Sequence, residues 1–189
     1  MKYLNANLFI ALLIGCLITN PVYAANPKVL METSMGNIEL ELFEDKAPIS
    51  VKNFLTYANE GFYNGTIFHR VIKNFMIQTG GMDKTMTKKE THAPIRNEAT
   101  NKLPNVKGTL AMARTGQPHS ATSQFFINTK NNNSLNYGGR AGWGYAVFGK
   151  VTKGMDIVMK IENVATGLRN GRRDVPKKTI EIKSISLIK

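Results

Sequence analysis

From residue 28 to 43 the chain alternates, with Ile38, Leu40 and Leu42 on one parity and Glu39 and Glu41 on the other. A period of two marks a strand with one buried and one wet face. Ser34, Met35, Gly36 and Asn37 supply turn residues between this strand and residues 29–33, so the pattern predicts a hairpin. The period then changes. Val51, Phe54, Leu55 and Ala58 recur at i, i+3, i+4 and i+7, Pro48 stands where a first helical turn tolerates it, and Gly61 follows as a stop. One amphipathic helix is predicted over 49–59.

Short apolar runs follow at 66–71, 75–79, 108–113, 124–128, 145–151 and 179–188, parted by Gly, Asn and Pro. Many short strands with few helices predict a mainly β domain, an antiparallel barrel or sandwich. In the last run Ile180 and Ile182 share a parity that Ile185 and Leu187 do not, which predicts a bulge near Lys183 and Ser184. Residues 155–163, with Ile157, Val158 and Ile161 apolar, read as a second short helix. The polar stretch 83–106 and the Asn- and Gly-rich stretch 131–144 are predicted loops. Neither an internal repeat nor a domain-scale linker is present.

The first 24 residues differ from the rest. Lys2 precedes the uninterrupted apolar run 8–18, and Val22-Tyr23-Ala24 places small residues where a signal peptidase reads them. That run is too short to span a bilayer, which takes about 20 residues, and no later segment approaches it, so no transmembrane segment is expected. Residues 1–24 therefore read as a signal peptide cleaved after Ala24, and 25–189 as one exported, periplasmic or secreted domain. Leu13-Ile14-Gly15-Cys16 offers a competing lipoprotein reading with Cys16 as the lipidated residue. The apolar run continues past Cys16, which favours simple secretion.

Cys16 is the only cysteine, so cleavage at Ala24 removes disulfide, zinc-thiolate and thiol-nucleophile chemistry. The chain carries a net charge of +12, and loss of Lys2 with the leader leaves +11. Such a charge raises nucleic acid or anionic membrane as partners. The basic residues are scattered, however, with loose groups at Lys84, Lys88, Lys89 and at Arg169, Arg172, Arg173, Lys177, Lys178, and lack the aromatic interleaving of a stacking platform. A solvated basic surface is expected, with no nucleic-acid partner. His69, His92 and His119 stand at no zinc-site spacing, no G-x-S-x-G elbow occurs, and the glycines of 138–144 fit neither a dinucleotide nor a phosphate loop. No metal and no cofactor is expected.

What remains is a set of apolar segments that each carry an exposed donor: FHRVIKNFMIQ (68–78), LAMARTG (110–116), SQFFIN (123–128) and YAVFGKV (145–151). Together they resemble the cyclophilin-type peptidyl-prolyl cis-trans isomerases, over about residues 29–187, and most of all the periplasmic members from Gram-negative bacteria. The resemblance implies a closed eight-stranded antiparallel β-barrel capped by two α-helices. It implies catalysis by Arg70, a proline pocket of Phe75, Met76, Phe126 and Leu135, and Gln78 as a support for the arginine or a substrate contact. The main chain of Ala113 and Arg114, with Gln124, would hold the residue before proline. Tyr145 stands at the rim, where many eukaryotic relatives carry histidine. Ser134 replaces an aromatic residue common before the pocket leucine, which implies weak cyclosporin binding.

The residues considered singly allow plainer roles. An isolated arginine among apolar neighbours is more often a surface residue lying over them, and only the surrounding motif reverses that reading of Arg70. Neighbouring strand residues face opposite ways, so His69 is expected to be buried as a structural hydrogen bonder if Arg70 faces a cleft. Phe125 is expected in the core and Trp143 in packing. Two other functions stay open: a proline-segment binding module in which turnover is incidental, and an electrostatic binder of nucleic acid or membrane.

Overall fold

The computed structural model describes residues 25–140 and 142–188. The leader, its cleavage site and Cys16 lie outside the described residues. The expected hairpin forms from β1 (Lys28–Thr33) and β2 (Gly36–Leu42). Thr33 closes its turn by accepting the Met35 N–H at 3.0 Å and donating to the Gly36 carbonyl at 2.6 Å. The expected helix is α1 (Pro48–Asn59), which buries Val51, Phe54, Tyr57 and Ala58, so Tyr57 takes the place expected of the half-buried Leu55. Its first turn lacks a capping side chain of its own. Glu98, from the loop 83–106, accepts the Ile49 and Ser50 N–H groups at 3.0 and 2.7 Å and the Ser50 hydroxyl at 2.7 Å. A carboxylate at that end satisfies orphan donors and suits the helix dipole.

Then follow β3 (Arg70–Ile72), β4 (Met76–Thr79), β5 (Thr109–Met112), β6 (Phe125–Asn128), β7 (Val147–Lys153), α2 (Met155–Glu162), β8 (Thr166–Arg169), β9 (Arg172–Pro176) and β10 (Ile182–Leu187). Eight strands form one antiparallel sheet in the order β10-β1-β2-β7-β5-β6-β4-β3. The expected bulge lies where Glu32 pairs with Ser184 and Thr33 with Ile182, leaving Lys183 as the extra residue. Among the described residues, no helix is long and apolar enough to cross a membrane.

Two expectations need correction. The sheet is a curled, open half-barrel rather than a closed barrel, because the end strands β3 and β10 do not pair with each other. A few backbone bonds link the chain before β3 to the start of β10 and the residues just before it: Phe68 N–H to Ile180 carbonyl (2.9 Å), Gly65 N–H to Ile182 carbonyl (2.9 Å) and Ile182 N–H to Thr66 carbonyl (2.8 Å). These bonds flank an isolated antiparallel bridge between Ile67 and Glu181, and the pairing does not run on into β3. The Ile67 N–H and carbonyl point the other way, to the Met82 carbonyl and the Thr79 hydroxyl, both at 2.9 Å, as strand alternation requires. The second correction is the hairpin β8–β9, which the sequence reading passed over.

The sheet is buried on both faces where β4, β5 and β6 cross it. On the inner face Val71, Ile77, Leu110, Met112, Phe125 and Ile127 join α1 and α2 in the main core. Phe54 sits at its centre with ring centroids 5.3 to 5.4 Å from Tyr63, Phe125 and Phe148, so Phe125 is core as expected. On the outer face Met76, Ala111, Phe126 and Val147 form a separate buried cluster. This second cluster, on the far side of the sheet from the main core, contains no residue of α1 or α2. It is the floor of the candidate site.

Candidate active site

Antiparallel register sets the site residues side by side. Arg70 pairs with Gln78 across β3 and β4, Gln78 pairs with Phe126 on β6, and Phe126 pairs with Ala111 on β5. Because strand side chains alternate between faces, all four project from the outer face, one step out of phase with the inner core. The exposed Arg70 donates from Nη1 to Gln78 Oε1 at 3.4 Å, and Gln78 Nε2 donates to Gln124 Oε1 at 3.0 Å. The glutamines thus form a short relay that ends on the Arg70 guanidinium through one long bond.

Beside Arg70 lies a cavity of about 90 Å³ lined by Arg70, Phe75, Met76, Gln78, Ala113, Arg114, Phe126, Leu135 and Tyr145. Of the ten residues expected at the site, only Gln124 lies outside this lining, and it reaches the cavity through Gln78. Met76 and Phe126 are buried at the floor, and Phe75, Leu135 and Tyr145 are half-buried walls. The Tyr145 ring meets Phe126 edge-on at 5.6 Å between centroids. Arg114 contributes its side chain as well as its backbone: the guanidinium lies 4.5 Å from the Tyr145 ring centre and its Nε donates to the Gly144 carbonyl at 2.9 Å. Gly144 has a φ of 65°, and a Cβ there would stand 2.6 Å from the Tyr137 nitrogen, so this crossing requires glycine.

Three buried asparagines, absent from the sequence reading, hold the walls. Asn105 Nδ2 donates to the Leu135 and Tyr145 carbonyls, both at 3.2 Å, and Asn132 Nδ2 donates to the Phe75 carbonyl at 2.8 Å. Asn128 links them, donating to Asn105 Oδ1 at 3.2 Å and accepting from Asn132 Nδ2 at 2.8 Å. Further bonds tie the trio to the surrounding chain, Asn128 Nδ2 to Thr109 Oγ1 at 2.9 Å and Asn105 Nδ2 to Asn136 Oδ1 at 3.4 Å. A satisfied buried network of this kind locks backbone positions in a low-dielectric setting. Asn-rich sequence read as loose connection is here the frame of the pocket.

A second, larger cavity of about 420 Å³ shares Arg70, Gln78, Ala113 and Arg114 with the first. His69, Gln124 and, from β9, Arg172 and Arg173 line its other walls. His69 is buried as expected and hydrogen-bonds to the Ile67 backbone and the Gln124 side chain, while its Nδ1 has no hydrogen-bond partner. Burial lowers its pKa to about 4; Arg172 and Arg70 act in the same direction, and the Ile67 backbone and Gln124 side chain only partly oppose them. The imidazole is therefore neutral at physiological pH.

Trp143 does not line either cavity. It is half exposed, with edge contacts to His119 and Tyr137 at 5.1 and 6.4 Å, so its packing is at the surface. Ser134 is exposed and also stands outside the lining. Among the described residues, no three His, Cys, Asp or Glu side chains cluster so as to hold a metal ion. An exposed arginine bonded to a glutamine beside a small pocket with apolar walls can bind a compact ring and direct a hydrogen bond at one of its atoms.

Comparisons with known proteins point to one family. The family model described as "Cyclophilin type peptidyl-prolyl cis-trans isomerase/CLD" matches residues 28–187. A peptidyl-prolyl cis-trans isomerase of Acinetobacter baylyi is 56% identical over 178 residues, covering 94% of each chain. Peptidyl-prolyl cis-trans isomerase B of Escherichia coli is 55% identical, covering 84% of this chain and 98% of its own. The crystal structure of a cyclophilin-type isomerase from Cryptosporidium parvum superimposes with a TM-score of 0.75 at 31% identity, covering 87% of this chain and 98% of that one.

Proposed function

The chain belongs to the cyclophilin-type peptidyl-prolyl cis-trans isomerases, and from that premise we propose that it rotates Xaa-Pro bonds of extended or unfolded exported polypeptides, with Arg70 as hydrogen-bond donor to the prolyl nitrogen. The observation that carries this reading is the placement of Arg70 beside Phe75, Met76, Phe126 and Leu135 in the lining of one cavity of about 90 Å³. Phe75, Met76, Phe126 and Leu135 take the proline ring. The Ala113 N–H is taken up by the Gln124 carbonyl at 2.9 Å, so the residue before proline meets the Ala113 carbonyl.

Resonance opposes rotation about a peptide bond with a barrier of about 18 to 20 kcal/mol, and prolyl isomerisation unaided takes tens to hundreds of seconds. At the twisted transition state the nitrogen regains its lone pair, and a donor aimed there binds the twisted form more strongly than the planar one. Only such differential binding accelerates the step. A guanidinium stays protonated and presents fixed donors, which suits it better than an ammonium. An acceleration of ~10⁵-fold requires about 7 kcal/mol, of which one water-shielded donor supplies ~3 to 4. Immobilising the ring and withdrawing the polar planar amide from water supply the remainder. No bond is broken and no covalent intermediate forms.

The leader pattern supports action in the periplasm or beyond after cleavage at Ala24, and a mature mass starting at Ala25 tests it against lipidation at Cys16. Ser134 in place of an aromatic wall supports weak cyclosporin binding. The central test is Arg70→Ala in a prolyl-peptide isomerisation assay. Loss of ~10²- to 10³-fold in kcat/KM with an unchanged circular dichroism spectrum is expected. Near-full activity in a folded variant removes Arg70 from the mechanism.

A further inference from the structure

The larger cavity carries a charge pattern that proline recognition does not require. Arg70, Lys88, Arg114, Arg172 and Arg173 line it, and no aspartate or glutamate does. Among the described residues, the ion pairs join Lys46, His92, Lys150, Lys153 and Lys160 to carboxylates elsewhere, so Arg70, Lys88, Arg172 and Arg173 face the cavity without an acidic partner. Like charges gathered around one recess repel one another and raise the local concentration of anions.

These cations are held in place. The β8–β9 turn is Asn170-Gly171, with φ of 48° and 73°, the left-handed pair that a tight two-residue turn demands. Arg169 Nη2 donates to the Lys84 carbonyl at 2.6 Å and Asn170 Nδ2 to the Thr85 carbonyl at 3.1 Å. Beneath the hairpin Val175 is buried against Ile67, Met82 and Met86. Arg172 and Arg173 thus stand on a base fixed to the domain, and the buried His69 forms the wall between Arg172 and Arg70. The shared wall residues Arg70, Gln78, Ala113 and Arg114 make the cavity continuous with the proline pocket.

We propose that this cavity is a specificity subsite for an aspartate or glutamate side chain in the substrate, one to three residues before the proline, with Arg172 and Arg173 as its selecting groups. The inference rests on the isomerase reading, in which Ala113 and Gln124 hold the residue preceding proline, because both line the cavity. A carboxylate there meets several guanidinium groups at once, and guanidinium groups hold carboxylates in paired, directional hydrogen bonds. The recess is a cup rather than a stripe, which fits one side chain better than a phosphate backbone.

The test is a set of peptides with one proline and a single Glu, Gln or Lys at each of the three preceding positions, assayed with the mature chain. At one of those positions the Glu peptide should exceed its Gln counterpart in kcat/KM by about fivefold at low salt, the size of one exposed ion pair. The Lys peptide should fall below both. Raising salt from about 20 mM to about 500 mM should shrink the preference, as screening requires. R172S/R173S should bring the Glu-to-Gln ratio close to one, whereas K52Q/K107Q, which removes two exposed charges outside the cavity, should leave the ratio unchanged. If the hairpin variant fails to fold, the wild-type ratio and its salt dependence decide. Equal turnover of Glu and Gln peptides at every position overturns the proposal while leaving the isomerase reading intact. So does a preference that survives R172S/R173S, or displacement of the peptide by a single-stranded oligonucleotide at ~150 mM salt. Absence of turnover on every peptide overturns both readings together.

Discussion

Two recesses meet at Arg70, and they are built by opposite means. The smaller has apolar walls in Phe75, Met76, Phe126 and Leu135 and is framed from behind by the Asn105, Asn128 and Asn132 amides, which fix the carbonyls of Phe75, Leu135 and Tyr145. The larger is polar and cationic, and its outer rim is the exposed hairpin β8–β9. The pocket's shape is enforced by buried bonds, each of which exposes an unpaired group if broken. The cavity's character is set by exposed charges that can change without disturbing the core. A site divided in this way keeps its chemistry constant in the walls of one recess and leaves selectivity to the rim of the other.

Substitutions at each side should separate the two. The largest effect is expected for Asn128→Ala, which leaves Asn105 Oδ1 and Asn132 Nδ2 each short of a buried partner. Loss of about 3 kcal/mol in chemical denaturation is expected, with a raised KM for every prolyl peptide whatever its charge. A loss confined to acidic peptides would contradict the division.

The next test lies in the wall of the cavity. His69, with its pKa lowered to about 4 in the fold against 6.5 for the unperturbed group, stays neutral where an unfolded histidine is protonated. The unfolded chain therefore binds the extra proton as pH falls. Its contribution to stability is complete above about pH 6.5 and is lost progressively toward pH 4, by up to about 3 kcal/mol. Denaturation of wild type and His69→Phe across that range should show the slope in the first and a shallower one in the second.

Phe126→Ala removes the pocket floor and half of the Phe126–Tyr145 contact. It should lower kcat/KM by about 30- to 100-fold, mainly through KM, on acidic and neutral peptides alike. The smallest effect is expected for Ser134→Trp at the exposed rim. Activity on short peptides should change by less than about threefold, a surface-scale effect, while cyclosporin affinity measured by calorimetry should rise.

The pocket was legible only through the resemblance carried by residues 68–78, 110–116, 123–128 and 145–151, and strand register explains how part of it assembles: Arg70, Gln78 and Phe126 lie abreast once β3, β4 and β6 pair. The asparagine frame was not, since Asn105 and Asn132 lie in polar stretches whose composition reads as loop whether or not their amides are buried. The hairpin β8–β9 carried a signal in Asn170-Gly171, but Arg169, Arg172, Arg173 and Asp174 around it mask strand alternation. Sheet closure was not readable either. It turns on how far pairing across 65–68 and 180–182 runs, and that stops at one bridge, Ile67 with Glu181, without reaching β3.

The most direct measurement is the exchange rate of a prolyl peptide while bound, read by NMR line shapes on wild type and Arg70→Ala at saturating enzyme. If Arg70 serves the twisted state rather than the planar one, the variant binds the peptide with Kd within about threefold of wild type, and cis-trans exchange on the enzyme slows by ~10²- to 10³-fold. Weakened binding with an unchanged bound exchange rate would make Arg70 a substrate anchor and contradict its role as the donor to the prolyl nitrogen.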